Sequence, residues 1–441
     1  MPRALTPWLT PEEQKELYEG LLYYDIIKLD NNRNLPLKSG GTTDIYINLR
    51  EARNQRNACG NRNPVEFISR HFANAIFRLN PDRFVEVPDS ITPFSGRISQ
   101  LLHDMPWLTV RPSAKEGRVT DTKVIGECRP GDRVVIYDDV ITNGASKIPA
   151  YKMCVARDLR VMPLVVLVDR QQGWKKVFAQ EGIDLDVWAG MTLHDIRRLA
   201  IEAGDMVRCD EALEDKNPII VARDGKSWDD LLPFLDQIRT SGCILKVNDL
   251  LFDKGAENLI PDLQVYGRVM IDSKGHDIPQ TLENIASRLI KNPPWAMTVH
   301  ASGGKEMVEK VVSALKGTLT KVLVVTVLTS FDPTTCEEIY NRLPAEEVRV
   351  LAKIAKRAGA HGLVCSAEEV ADLRKQYPDM LLVTPGIRSE GVDAHDQKRI
   401  ATPKAAIENG SDYLVMGRQF FTAPDPYQEV MRVLKEELEV I

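Results

Sequence analysis

Short apolar, β-branched runs alternate with amphipathic stretches along the whole chain. That rhythm predicts strands followed by helices, the pattern of parallel α/β architecture. Helix starts are punctuated. Thr10-Pro11-Glu12-Glu13 places a capping hydroxyl, a proline and two acids in a first turn. Thr402-Pro403 repeats the device, and Ser366-x-x-Glu369 has the spacing of a capping box. In the second half, candidate strands begin near Ile219, Cys243, Val269, Ala296, Val322, Gly362, Leu381 and Tyr413. Eight such strands, with helical stretches between them in roughly 225 residues, predict a closed (β/α)8 TIM barrel. The first half has fewer strands, and the apolar run at 133–137 predicts the centre of an open doubly wound sheet. The acidic stretch at 209–217 marks the expected boundary, giving domains 1–212 and 213–441.

Composition narrows the classes. The 441 residues are 43% hydrophobic and 27% charged, values of a globular chain, not a disordered or fibrous one. A net charge of -6 provides no broad basic field for nucleic acid or an anionic membrane. Any phosphate must therefore be gripped locally. The longest apolar stretches, such as 161–168, are strand length, whereas a membrane span needs roughly 20 residues. The start lacks the apolar core of a signal peptide. Seven scattered cysteines without a Cys-x-x-Cys pair suit reduced thiols and a cytoplasmic location. No His/Cys cluster has zinc spacing, so no structural metal is expected.

The first half carries Val134-Val-Ile-Tyr-Asp138-Asp139-Val-Ile-Thr142-Asn143-Gly144-Ala145-Ser146. An apolar strand ends in two carboxylates, and a loop of small and hydroxyl residues leads into a helix. Small residues admit a phosphate to backbone amides. Paired acids suit ribose hydroxyls and a sugar-bound magnesium ion. This string resembles the phosphoribosyl-diphosphate signature of type I phosphoribosyltransferases. Leu37-Lys38-Ser39-Gly40 with Tyr46, Val87-Pro88 with Pro93, and Val168-Asp169-Arg170 with Gly173 narrow the resemblance to orotate phosphoribosyltransferases. It covers about residues 15–205 and implies that family's fold. It also implies that Lys38, Tyr46 and Arg170 meet orotate. The Asp138–Ser146 segment would hold the sugar diphosphate, with magnesium held mainly by the substrate. A basic loop with Arg111, Lys115, Arg118 and Lys123 would close over the diphosphate, Lys115 being its catalytic cation.

The second half carries Asp272-Ser-Lys274-Gly-His-Asp277-Ile-Pro-Gln-Thr281, with Lys246 on the preceding strand. Strand alternation would point Asp272 and Lys274 the same way, into the mouth of a barrel. Alternating lysines and aspartates stay charged together only by mutual compensation. This half resembles orotidine 5′-monophosphate decarboxylases over nearly its whole length. The matching segments include Val221-Ala-x-Asp224, Thr298-Val-His-Ala301, Leu328-Thr-Ser330, Thr384-Pro-Gly-Ile-Arg388, Asp396-Gln397 and Gly417-Arg418. The resemblance implies Lys274 as proton donor to C6, Asp272 beside the substrate carboxylate, and Lys246 on the ribose. Asp224 would take a ribose hydroxyl, and Thr329 and Ser330 the pyrimidine edge. Arg388, Gln397, Arg418 and the Gly417 amide would clamp the 5′-phosphate. Asp277 and Thr281 would reach into the site of a second copy.

Together the resemblances imply two consecutive steps of pyrimidine biosynthesis, from orotate and phosphoribosyl diphosphate to UMP, in a homodimer or larger homo-oligomer. The decarboxylation would need no cofactor. Pro112, Asp89 and Ile47 depart from the transferase pattern. A second reading therefore stays open, in which only the barrel catalyses and the first half binds or oligomerises. A third, a metal-dependent sugar-phosphate lyase, rests on the Asp-x-Lys-x-x-Asp string that related barrels share.

Overall fold

The computed structural model describes residues 8–32, 34–36, 42–53, 63–88, 90–110, 124–209, 211–222, 224–391 and 401–441. The chain forms two compact units, residues 1–207 and 208–441. The first is built on one sheet. Its main strands are β1 (Arg83–Glu86), β2 (Trp107–Val110), β3 (Val124–Ile125), β4 (Arg133–Ile141), β5 (Leu164–Asp169) and β6 (Val187–Thr192), in the order β6-β5-β4-β1-β2-β3, and the two-residue strand Arg160–Val161 pairs with β4 off this path. Five of them run parallel, and β3 pairs antiparallel with β2 at the edge.

Six helices cover this sheet: α1 (Pro11–Tyr23), α2 (Pro64–Leu79), α3 (Thr92–Leu101), α4 (Ile148–Val155), α5 (Trp174–Gln180) and α6 (Leu193–Ala203). Alternate strand residues feed two cores. Val135, Tyr137, Val165 and Leu167 pack with α1, α2, α3 and α6, while Val134, Ile136, Leu164 and Val166 pack with α4 and α5. The sheet is thus covered on both faces, as strand side chains of period two require. Its order reverses between β1 and β4. Open sheets of this kind bind ligands at the carboxyl ends beside that reversal.

Local rules held α1 in place. Thr10 and Glu13 form a reciprocal capping box ahead of Pro11. Arg197 of α6 and Asp44 form a fully buried bidentate pair at 3.0 and 3.1 Å. It ties α6 to the hairpin in which Ile45–Ile47 pairs with Ile27–Leu29.

The second unit is a closed barrel of eight parallel strands in sequential order. They are β7 (Ile219–Ala222), β8 (Ile244–Val247), β9 (Val269–Gly275), β10 (Ala296–His300), β11 (Lys321–Val325), β12 (Gly362–Val364), β13 (Leu381–Pro385) and β14 (Tyr413–Met416). All eight start within a residue of the positions expected from the apolar runs. Ile220, Ile244, Met270, Ala296, Leu323 and Val383 form one buried cluster from six strands. One capping expectation fails. The Ser366 hydroxyl bonds the Glu369 carboxylate, and the helix Val370–Gln376 begins beyond it. A turn closed by the Glu369 N–H on the Ser366 carbonyl, 3.1 Å, puts Glu369 at the cap instead of the third helical position. Among the described residues no helix is long and apolar enough to cross a membrane.

Candidate active sites

The barrel site starts from an irregularity. β9 pairs with β10 at Ile271↔Met297 and next at Gly275↔Val299, so four steps of β9 run against two of β10. Lys274 sits in this bulge with a positive φ of 46°. Such a backbone costs on the order of 1–3 kcal/mol for a non-glycine residue and persists only where its surroundings fix it. The fixing group is Thr298. Its hydroxyl accepts the Lys274 N–H at 2.9 Å and donates to Asp272 Oδ1 at 2.9 Å. Lys274 Nζ then meets Asp272 Oδ2 at 2.7 Å. The two side chains do converge, as alternation suggested, but through a bulge and not through a regular strand.

Lys246 on β8 closes the cluster. Its ammonium lies 3.1 Å from Asp272 Oδ2 and 2.9 Å from Asp224 Oδ2. Burial pushes the Asp272 carboxyl up, but the Lys246 and Lys274 ammonium groups outweigh burial and hold it below the usual carboxylate range. Burial pulls Lys246 down, and Asp272 with Asp224 more than reverses this, so its ammonium is raised. Lys246 and Asp272 therefore stay charged near neutrality.

This cluster forms part of the wall of a cavity of about 690 Å³. Ala222, Val325, Val364, Pro385 and Met416, the last residues of five strands, also line it, so it opens at the carboxyl end of the barrel. Arg388, from the loop after β13, lines it too, as do Gly417 and Arg418, at the start of the short helix Arg418–Thr422 after β14. A Cβ on Gly417 would stand 2.6 Å from the Ala222 carbonyl, so the loop after β14 can pass β7 only with glycine there. Thr329 lines the cavity, whereas Ser330 is exposed and lies outside the lining. Asp277 is exposed and accepts the Ile278 N–H at 2.7 Å. Neither Asp277 nor Thr281 lines this cavity. Gln397 falls outside the described residues.

In the first unit, the acid pair lies on β4 beside the sheet reversal, but the strand does not end at the acids as expected: it stays paired with β5 as far as Ile141. The two acids part company. Asp138 is buried against the Lys147 ammonium, which is buried too and donates to the Ser146 hydroxyl at 3.0 Å. Burial pushes the Asp138 carboxyl up to about 7 in spite of Lys147. Asp139 is half-buried, and Thr142, Asn143, Ala145 and Ser146 are exposed. Gly144 has φ +78° and leaves no room for a Cβ, which would lie 2.6 Å from Phe178. Glu86, at the end of β1, is buried with bonds from the Ser95 and Thr109 hydroxyls, the latter at 2.7 Å. Ser95 also lies 2.6 Å from the Tyr137 hydroxyl. Tyr46 is half-buried and Arg170 buried. Lys38, Arg111 and Lys115 fall outside the described residues, as do Arg118 and Lys123. Among the described residues no group of three or more His, Cys, Asp or Glu could hold a metal ion.

The model of the orotidine 5′-phosphate decarboxylase / HUMPS family matches residues 217–433. An orotidine 5′-phosphate decarboxylase of Pseudoalteromonas translucida is 42% identical over 219 residues, which are 48% of this chain and 94% of that protein. The chain belongs to the orotidine 5′-phosphate decarboxylase / HUMPS family. A solved decarboxylase of Lactobacillus acidophilus is 37% identical and matches 50% of this chain and 98% of that one, at a TM-score of 0.45. A solved UMP synthase of Leishmania donovani is 28% identical, over 44% of this chain and 39% of that one, at a TM-score of 0.36.

In the decarboxylase-family barrel the structure gathers Lys246, Asp272, Lys274, Asp224, Thr329, Arg388, Gly417 and Arg418 around one cavity. The sequence motifs assign no role to Thr298 of the lysine–aspartate cluster, nor to Lys226 and Gln419 of the cavity lining. Thr298 was visible only as part of a matching segment, and its hydroxyl acts because β10 abuts the bulge. Lys226, two residues past Asp224, also lines the cavity. In the first unit Lys147 was missed, although a lone lysine directly after a loop of small residues was a usable signal.

Proposed function

We propose that the barrel decarboxylates orotidine 5′-monophosphate to UMP, and that the first unit makes this substrate from orotate and phosphoribosyl diphosphate. The observation that carries the first half of this reading is Asp272 held ionised between Lys246 and Lys274 in the cavity wall, with Arg388 and Arg418 lining the same cavity. In this reading the arginines, Gln397 and the Gly417 amide take the 5′-phosphate. Asp224 takes a ribose hydroxyl, and Thr329 faces the pyrimidine. The substrate carboxylate lies beside Asp272. When carbon dioxide leaves, the electron pair stays on C6, and the Lys274 ammonium gives its proton there.

Magnitudes decide between two causes of acceleration. Two carboxylates about 4 Å apart at an effective dielectric near 20 repel by roughly 4 kcal/mol. Enzymes lower barriers by about 8–23 kcal/mol. Repulsion from Asp272 is therefore the smaller contribution. Stabilisation of the developing C6 carbanion by the preset ammonium of Lys274 is the larger. A second copy of the chain would complete the site with Asp277 and Thr281. Support comes from Asp277 and the neighbouring Ile278, which is 65% exposed, both standing clear of their own cavity.

For the first unit, the support is the doubly wound sheet with its acid-and-glycine loop at the reversal point. The sugar diphosphate would arrive as its magnesium complex, with Asp139 facing the ribose. Arg111, Lys115 and Lys38 belong to the same proposal. One observation favours the second reading, in which only the barrel catalyses: Asp138 is already occupied by Lys147. A paired product assay separates the two. One tube receives orotate, phosphoribosyl diphosphate and magnesium, and the other orotidine monophosphate with chelator. UMP in both supports the two-step reading. UMP in the second tube alone removes the transferase, and UMP in neither removes the decarboxylase, the transferase then being read from orotidine monophosphate in the first tube.

A further inference from the structure

Next to the two arginines in the chain runs a polar network that neither the sequence motifs nor the proposed chemistry uses, and one of its members, Gln419, lines the cavity beside them. Ser389 follows Arg388, and Gln419 follows Arg418. Both are buried, at 7% and 8% exposure. They bond each other twice: the Ser389 N–H donates to Gln419 Oε1 at 3.0 Å, and Gln419 Nε2 donates to the Ser389 hydroxyl at 2.6 Å. The second Nε2 proton goes to Glu429 Oε1 at 2.7 Å. The Ser389 hydroxyl donates to Glu437 Oε1 at 2.5 Å and accepts from Arg432 at 3.2 Å. Arg432 in turn pairs with Glu429 at 2.8 Å and Glu437 at 2.9 Å.

Every donor and acceptor of the Gln419 amide is used. Only an amide can do this, since it must accept from one backbone amide and donate to two oxygens. The ring formed by Ser389 and Gln419 joins the loop after β13 to the short helix Arg418–Thr422 that follows β14. The acids and Arg432 anchor that ring to the helix Pro426–Arg432 and the segment Val433–Glu437. Arg432 holds the Glu429 carboxyl below its usual range, so this anchor stays ionised near neutrality.

We propose that Ser389 and Gln419 are positioning residues that fix the spacing of Arg388 and Arg418 before a phosphate monoester arrives. Two like-charged guanidinium groups drift apart unless something sets their separation. A preset clamp spends less of the phosphate's interaction on ordering loops and leaves more for the transition state. The inference rests on the decarboxylase reading of this barrel.

The test compares two substrates, orotidine 5′-monophosphate and orotidine, which lacks the phosphate. In Gln419→Leu, kcat/KM for the nucleotide is expected to fall roughly 10- to 100-fold, the scale of a misplaced binding group. The fall for orotidine should be smaller by about tenfold, because the damage lies at the phosphate end. In an Arg418→Ala background, Gln419→Leu should cost under about threefold, since the group it positions is gone. Equal losses on both substrates, or full additivity with Arg418→Ala, would mean general damage to the barrel and overturn the proposal. So would unchanged kinetics. Ser389→Ala, which removes one hydroxyl, is read by the same criteria if Gln419→Leu does not fold. A wild-type protein that does not turn over the nucleotide at all fells the decarboxylase reading, and this inference with it.

Discussion

Both units place an aspartate of a parallel strand against a lysine. The outcomes differ. Asp272 meets two ammonium groups and a hydroxyl, and its carboxyl is held below the ordinary range. Asp138 meets one ammonium in deeper burial, and its carboxyl is pushed up to about 7. The same two residue types therefore make different devices. Two cations outweigh the cost of removing a carboxylate from water, and one does not. The Lys274 side chain keeps 35% of its surface exposed, so its proton can be delivered to a ligand. The Lys147 side chain keeps 7%, and its ammonium is spent inside the loop.

The comparison breaks first at Lys274. If its ammonium both supplies the proton and stabilises the carbanion, Lys274→Ala should lower kcat by roughly 10⁴-fold or more, combining the usual scales of general-acid and electrostatic catalysis. Single-turnover decarboxylation is the measurement. A loss under about tenfold would make Lys274 a bystander to chemistry. The matching change in the first unit, Lys147→Met, strands a buried carboxylate. It should destabilise that unit by about 3–5 kcal/mol at pH 8 while decarboxylation by folded protein persists. Denaturant unfolding of wild type and variant checks this. An unaltered midpoint would show that the Asp138 pairing contributes nothing to the fold.

How much of this was legible in the sequence follows from the range over which each feature is determined. The eight barrel strands were readable because each is a local apolar run. Helix α1 was readable because Thr10, Pro11 and Glu13 act within one turn. The bulge at Lys274 was not, because hydrophobic periodicity carries no sign of a positive φ. It exists only when Thr298, 24 residues on, lies alongside. The Ser389–Gln419 ring joins residues 30 apart and so leaves no local pattern. Ser366 and Glu369 show the converse: the right spacing, but a turn that displaces the helix start. Lys147 was in plain view, yet only its burial against Asp138 gives it a role.

The last test separates the two aspartates by sign. Asp138 has a folded value of about 7 against an ordinary 3.8, so between about pH 4 and 7 the folded unit binds more protons than the unfolded chain. Raising pH through that window should cost stability. Asp272 is shifted the other way, so its contribution is complete above about pH 4 and fades only as pH falls below it. The checking measurement is the melting temperature of wild type minus that of Asp138→Asn, followed by calorimetry from pH 4 to 8. That difference should drift downward by roughly 10 °C as pH rises, because a carboxyl raised from 3.8 to about 7 loses about 4 kcal/mol of stability across that window and each 1 kcal/mol moves the midpoint of a unit of this size by about 2–4 °C. The same subtraction with Asp272→Asn should stay nearly flat over that range and fall only when the series is carried below about pH 4. Two parallel curves would mean that the single ammonium of Lys147 balances burial as fully as the pair at Asp272, and the distinction between the two sites would collapse.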